Sequence, residues 1–153
     1  MRILALDLAT KTGWAFCDGT NLTSGVENFK GGRYEGGGMR FLRFSQWLAS
    51  TVQLTGPEVV VYEEIRRHMG ADAAHIYGGL LSQLTAYCEQ HGIPYKGIPV
   101  GTIKKTATGK GNAPKDAMVA AAGKAWPDQQ IQDDNQADAL WILETGKREV
   151  VHA

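Results

Sequence analysis

Cysteine is nearly missing from the 153 residues: there are two, Cys17 and Cys88, far apart in sequence and set among apolar or aromatic neighbours. That usage excludes a disulfide framework and suits a reducing compartment, with both thiols as core filler. An excess of one charge is missing as well. Sixteen basic residues meet sixteen acidic ones, so any contact with an anionic partner has to come from a local patch. No stretch approaches the roughly 18 apolar residues of a membrane span. The apolar opening Met1 to Ala9 is interrupted by Asp7 and lacks the long h-region of a secretory signal. The expectation is a soluble, cytoplasmic protein. The four histidines show no metal-ligand spacing, and none is assigned a ligand role.

What is present suits one globular domain over residues 1–153: 43% of the chain is hydrophobic, enough for a core, and the length is short for two ordinary domains. Arg2 to Ala9 has the length of a buried strand and ends at a lone carboxylate, Asp7. Gly13 to Cys17, the turn Asp18-Gly19 and Leu22 to Phe29 predict two more strands in an antiparallel meander with the first. Lys30 to Gly38 is a glycine-rich loop carrying Arg33, Tyr34 and Glu35. From Met39 to Leu54 the residues Phe41, Phe44, Trp47, Leu48 and Val52 recur at helical intervals, and Gly56-Pro57 stops that helix. The β-branched run Glu58 to Tyr62 predicts a central strand ending at Glu63 and Glu64. A long helix follows over Asp72 to Gln90, then a short strand over Ile93 to Ile98. The Thr-, Lys- and Gly-rich stretch after it has no predicted element until a helix begins at Pro114 and runs to Trp126. A last helix starts near Asp133 or Asp134, and Gly146 is expected to end it.

Three acidic groups therefore lie at distant positions: Asp7 ending the first strand, Glu63 and Glu64 ending the fourth, and Asp133, Asp134 and Asp138 opening the last helix. If the first and fourth strands are parallel neighbours, Asp7 meets Glu63, and the last helix has only to cross the same edge to add Asp138. Such crowding of like charge is costly unless cations neutralise it, and hard oxygen donors suit magnesium or manganese. Two ions about 4 Å apart activate water and stabilise a departing phosphodiester oxygen. Backbone hydrolysis of a nucleic acid is the natural reading.

Of the two glutamates, which lie on opposite faces of an extended chain, Glu63 is chosen. Asp133 with Gln136 has capping-box spacing and reads as structural. Asp134 either shares a helical face with Asp138 or is itself the cap.

A basic segment lies between Gly97 and Lys124, where Lys104, Lys105, Lys110, Lys115 and Lys124 face only Asp116. Within it, TGKGNAPK is a glycine-rich turn entering a helix, suited to holding a phosphate. Arg66, Arg67 and His68 directly follow the Glu63 strand and would flank the site, where they suit DNA phosphates. Arg33, Tyr34 and Arg40, near the glycine-rich loop, are further candidates for DNA contact with little support from the sequence.

The segments ILALDLATKTGWA, VVVYEE, IKKTATGKGNAPKDAM and NQADALWI, in that order, resemble the RuvC family of crossover-junction endodeoxyribonucleases over nearly the whole chain. The resemblance implies an α/β, RNase H-like fold: a mixed five-stranded sheet, three strands in an antiparallel meander and two parallel, flanked by helices. It implies a homodimer that binds four-way DNA junctions and makes paired nicks in opposing strands with two Mg2+ ions per active site, Mn2+ substituting.

By position, Asp7, Glu63 and Asp138 correspond to family metal ligands, and Lys104 and Lys115 to lysines near the scissile phosphate. The fourth ligand is Asp134, unless Asn135, standing where the family commonly has aspartate, coordinates instead. Arg66, Arg67, Lys105 and Lys110 are the expected DNA contacts. Arg66 occupies a position where the family often carries an aromatic residue, which puts junction specificity in question. The short chain resembles phage or prophage versions, acting in a bacterial or phage-infected cell.

Other readings compete. LDLATKTGWA also resembles the phosphate-binding turn of actin and sugar-kinase proteins, but those need a second domain to close over a nucleotide. An RNA-processing enzyme of the YqgF type would share the fold and acidic edge; the lysine-rich TGKGNAPK favours the DNA enzyme. A catalytically inactive DNA-binding module on this fold is opposed by retention of all three acidic groups.

Overall fold

The computed structural model describes residues 1–67 and 70–151. His68, one of the expected flanking residues, lies outside them. The expected meander is present as β1 (Ile3–Asp7), β2 (Lys11–Cys17) and β3 (Leu22–Asn28), followed by α1 (Met39–Thr55), β4 (Val59–Glu64), α2 (Ala71–His91) and β5 (Tyr95–Pro99). Three helices complete the chain: α3 (Val100–Thr108), α4 (Lys115–Ala125) and α5 (Asp134–Val151). The sheet order is β3-β2-β1-β4-β5, with β1 antiparallel to β2 and parallel to β4. β4 is also parallel to β5. This is the mixed five-stranded arrangement expected. No helix among the described residues is long and apolar enough to cross a membrane.

The central strands are buried on both faces, and their side chains alternate between two cores. Leu4, Leu6 and Val60 pack with Phe44, Leu48, Leu80 and Leu84 under α1 and α2. Ile3, Ala5, Val59 and Val61 pack with Ile103, Met118, Leu140 and Ile142 under α3, α4 and α5. The two cysteines divide between these cores and both are buried, as expected.

Two elements differ from the sequence reading. The stretch after β5 is not irregular: Val100–Thr108 is helical, and Gly109, at φ 82°, ends it by donating its amide to the Lys105 carbonyl. Gly101 and several β-branched residues lower the intrinsic helix propensity, and Ile103 is the one residue of α3 that is fully buried, so periodicity gave no signal. The last helix does not stop at Gly146 but continues to Val151. Gly146 is an interior residue of a buried helix, where a Cβ would stand 2.9 Å from a Val61 methyl, so the glycine serves the close approach of α5 to the sheet.

Candidate active site

The alternation that builds the cores also decides where the carboxylates point. Ile3 and Ala5 face the α5 side of the sheet, so Asp7, two residues on, faces it too; on β4, Val59 and Val61 do the same, and Glu63 follows. The register pairs Ile3 with Val59 and Ala5 with Val61, and its continuation sets Asp7 beside Glu63. Glu64 falls to the other face. It lines a neighbouring hollow with Arg66 and Arg67 and pairs with Arg66 at 3.6 Å.

Helix α5 enters over the same edge. Asp133 accepts the Gln136 amide at 2.9 Å, as a helix cap should, while the Gln136 side-chain oxygen accepts the Gln132 amide at 2.7 Å. The buried Gln136 also donates to the Ser24 hydroxyl on β3 at 2.9 Å, tying the start of the helix to the sheet. With Asp133 occupied as the cap, Asp134 is the first residue of α5, and one helical turn later Asp138 lies on the same face. At Gly13 a Cβ would fall 1.9 Å from the Asn135 carbonyl oxygen, so only glycine lets the helix start lie this close to β2.

These elements enclose a cleft of about 280 Å³ lined by Asp7, Glu63, Asp134, Asp138, Lys104 and Lys115, with Asn135 beside them. Its floor is apolar, from Val100, Ile103, Met118 and Ile142. Asp7 is only 6% exposed. Burial, then the negative charge of Glu63, Asp138 and Asp134, holds its carboxyl well above the usual carboxylate range, and a carboxyl–carboxylate hydrogen bond joins it to Glu63. Burial raises Glu63 also, against the lowering influence of Lys104. Asp138 is pushed up to about 7 by burial, then by Glu63 and Asp134, with Lys115 and Lys104 opposing. Lys115 reaches Asp134 at 3.4 Å.

The six residues expected in the site thus converge. Of the expected DNA contacts, Arg66 and Arg67 are exposed beside the cleft, while Lys105 and Lys110 are exposed on α3 and the turn after it, outside the cleft lining. Helix α3 explains the difference between adjacent lysines: Lys104 turns inward and Lys105 outward. Sequence reasoning missed Tyr77, whose hydroxyl donates to the Glu63 carbonyl at 2.7 Å and accepts the Ile65 amide at 3.2 Å. Its aromatic ring is an ordinary core residue of α2, and nothing in the spacing marks the hydroxyl.

Among the described residues the donor set is chemically that of a hard divalent cation: carboxylate oxygens and an amide, with no imidazole or thiolate. Burial and crowding disfavour the ionised forms of Asp7 and Asp138, and a bound cation would favour them. Among the described residues, no three acidic side chains are already arranged as a metal-binding group.

No family model matches the sequence, and no curated protein does. Among solved structures, the fold is similar to Thermus thermophilus RuvC in complex with a Holliday junction substrate, with a TM-score of 0.82 and 20% identity over 98% of this chain and 94% of that one. It is also similar to the yeast mitochondrial Holliday junction resolvase, at TM-score 0.65 and 17% identity over 96% of this chain and 78% of that one. The fowlpox virus resolvase, in complex with Holliday junction DNA, matches at TM-score 0.64 and 10% identity over 99% of both chains. The mixed sheet with its flanking helices is the RNase H-like fold of these resolvases.

Proposed function

We propose that the protein is a structure-selective endonuclease that cuts branched DNA, four-way junctions above all, by hydrolysing phosphodiesters in the acidic cleft. The observation that carries this reading is the meeting of Asp7, Glu63, Asp134 and Asp138 from three separate elements with Lys104 and Lys115 in one cleft. The fold shared with junction-bound resolvases supports the choice of substrate.

Asp7, Glu63, Asp138 and Asp134, or Asn135 in its place, would hold divalent ions, magnesium first and two per site. Bound there, the ions supply charge neutralisation and Lewis acidity at the phosphodiester. Lys104, drawn to Glu63 and Asp138, binds a non-bridging phosphate oxygen, and Lys115, held by Asp134, binds a second from the rim. The apolar floor keeps bulk water away from the reacting phosphate and strengthens each of these contacts. In the reaction, water oxygen bonds to phosphorus as one ester P–O bond breaks; the water proton leaves to solvent, and the departing oxygen takes up a proton from solvent to become a hydroxyl.

Paired nicks in opposing strands require two such clefts, and the reading therefore includes a homodimer of single-domain subunits acting in a bacterial or phage-infected cytoplasm. The test is a cleavage panel of four-way, three-way, flap and linear DNA, with RNA, in magnesium and in chelator. Cutting of branched DNA that depends on the metal and is lost in Asp7→Asn and Glu63→Gln, with junction binding kept, is the expected result. Full activity of both variants would reject the site.

A further inference from the structure

The loop between β3 and α1 has features that the cleft does not account for. Lys30, Arg33, Arg40 and Arg43 stand within fourteen residues against a single carboxylate, Glu35, in a chain whose net charge is zero. Glu35 is already used: it pairs with Arg43 and accepts the Gly32 amide, and these contacts hold its carboxyl below the usual range. Among the described residues, Lys30, Arg33 and Arg40 pair with no carboxylate.

Arg40 carries the sharpest discrepancy. Its Nε is buried with no hydrogen-bond partner among the described residues, and Arg40 lines a hollow of about 200 Å³ together with Lys30 and loop glycines. An unpaired buried guanidinium nitrogen costs free energy unless some other group satisfies the charge. Four of the loop glycines are not required by packing: among the described residues a Cβ at Gly31, Gly36, Gly37 or Gly38 would meet nothing within 4 Å, and none of the four has a positive φ. What they do provide is backbone amides bare to an approaching group, at the start of a helix with no side-chain cap.

The loop also displays an aromatic ring. Tyr34 is 92% exposed, the most exposed of the large hydrophobic residues described, and its ring meets the Arg33 guanidinium, 5.6 Å from the ring centre. An exposed ring beside cations is the composition of a nucleic-acid surface, in which bases stack while cations track phosphates. Its place in the fold agrees. The Phe29 amide, at the end of β3, donates to the Thr10 carbonyl at 2.8 Å, and Asn28 pairs with Lys11, so the loop leaves the sheet at the same end as Asp7.

We propose that this loop is a second DNA-contact surface, in which Lys30, Arg33 and Arg40 hold backbone phosphates and the Tyr34 ring stacks on a base exposed where strands part. The inference rests on the reading of the acidic cleft as a site for branched DNA.

The test measures affinity for a synthetic four-way junction by fluorescence anisotropy from about 50 to about 200 mM salt. The triple variant Lys30→Gln/Arg33→Gln/Arg40→Gln is expected to bind on the order of tenfold more weakly, with a log–log salt slope shallower by about 3. Arg148→Gln, on the last turns of α5, leaves the slope as it is. Tyr34→Ala lowers affinity and Tyr34→Phe restores it. An unchanged slope in the triple variant, with its melting temperature retained, overturns the phosphate contacts, and equal affinity of Tyr34→Ala and wild type overturns the stacking. Wild-type binding without any cleavage sinks the nuclease reading alone. Absence of wild-type binding overturns both.

Discussion

The hydroxyl of Tyr77 donates to the carbonyl oxygen of Glu63 at 2.7 Å while accepting the amide of Ile65 at 3.2 Å, so one side chain from α2 clasps the end of β4 on both sides of Glu64. The clasp holds the backbone extended at the point where Glu63 must leave the sheet toward Asp7. Tyr77→Phe keeps the ring in its core and removes only the hydroxyl. Leaving a part-buried amide and carbonyl unpaired costs about 1 kcal/mol, visible as a lower melting temperature. As a positioning residue Tyr77 also predicts a split: kcat falls with KM little changed when cleavage is assayed well below the melting transition. A variant with lowered stability and wild-type kcat would reduce the clasp to a structural role.

The carboxyls of the cleft set a pH dependence of stability with a definite sign. Asp138, pushed from an ordinary 3.8 to about 7, binds its proton more tightly when folded than when unfolded. Its burial penalty is therefore absent below pH about 4, grows as pH rises and is complete above about 7. Asp7 acts in the same direction. Without divalent ions, the melting temperature is expected to fall across that window, and Asp138→Asn to flatten the fall. Magnesium should raise the melting temperature most at the alkaline end. Asp18 and Glu35, whose carboxyls are held low, destabilise only on further acidification, in a separate window. A wild-type profile rising from pH 4 to 8 in chelator would contradict the electrostatic account of the cleft.

Much of this site was legible because it rests on two periodicities. Period two along β1 and β4 puts Asp7 and Glu63 on one face and sends Glu64 to the other, and the helical period puts Asp134 and Asp138 on one face of α5. Even the structural part of Asp133 could be read from its spacing to Gln136, although Gln136 reaches the Gln132 amide instead of closing the box on Asp133 itself. What could not be read was decided by contacts between distant segments. Helix α3 has weak local propensity and is held by Ile103 and by packing on α4 and α5. Gly146 is a stop signal in isolation and a packing device against Val61 in context. The Gly109 turn after α3 was the one local sign of that helix.

Lys104 and Lys115 should separate in mutation. Lys104 is half-buried in the cleft and acts on Glu63 and Asp138, whereas Lys115 has a side chain 82% exposed at the rim. The exposed Lys115–Asp134 pair contributes at most about 1 kcal/mol to stability. Lys115→Ala is therefore expected to leave the melting temperature nearly unchanged while weakening DNA binding. If the proposed function holds, Lys104→Ala removes a cation that binds the reacting phosphate and should cost on the order of a hundredfold in kcat. Single-turnover cleavage with saturating enzyme distinguishes the two, and equal kcat losses would contradict the placement.

Gly13 gives a prediction about the site from a residue that touches no substrate. A Cβ there would overlap the Asn135 carbonyl at 1.9 Å and its carbon at 2.4 Å, and both are backbone atoms that cannot rotate away. Gly13→Ala must push the start of α5 off β2, and Asp134 and Asp138 move with it while Asp7 and Glu63, on the sheet, stay. Overpacking of this kind costs about 1 to 3 kcal/mol or more. The variant is therefore expected to melt lower and also to need more magnesium for half-maximal cleavage, because the helix-borne carboxylates no longer meet the sheet-borne ones. Gly146→Ala, whose nearest contact is the Val61 side chain at 2.9 Å near the other end of the same helix, should lower stability with a smaller change in magnesium requirement. A magnesium titration of cleavage on both variants, at a temperature where each is folded, decides between them: equal requirements would mean that the seating of α5 on Gly13 does not set the geometry of the acidic cleft.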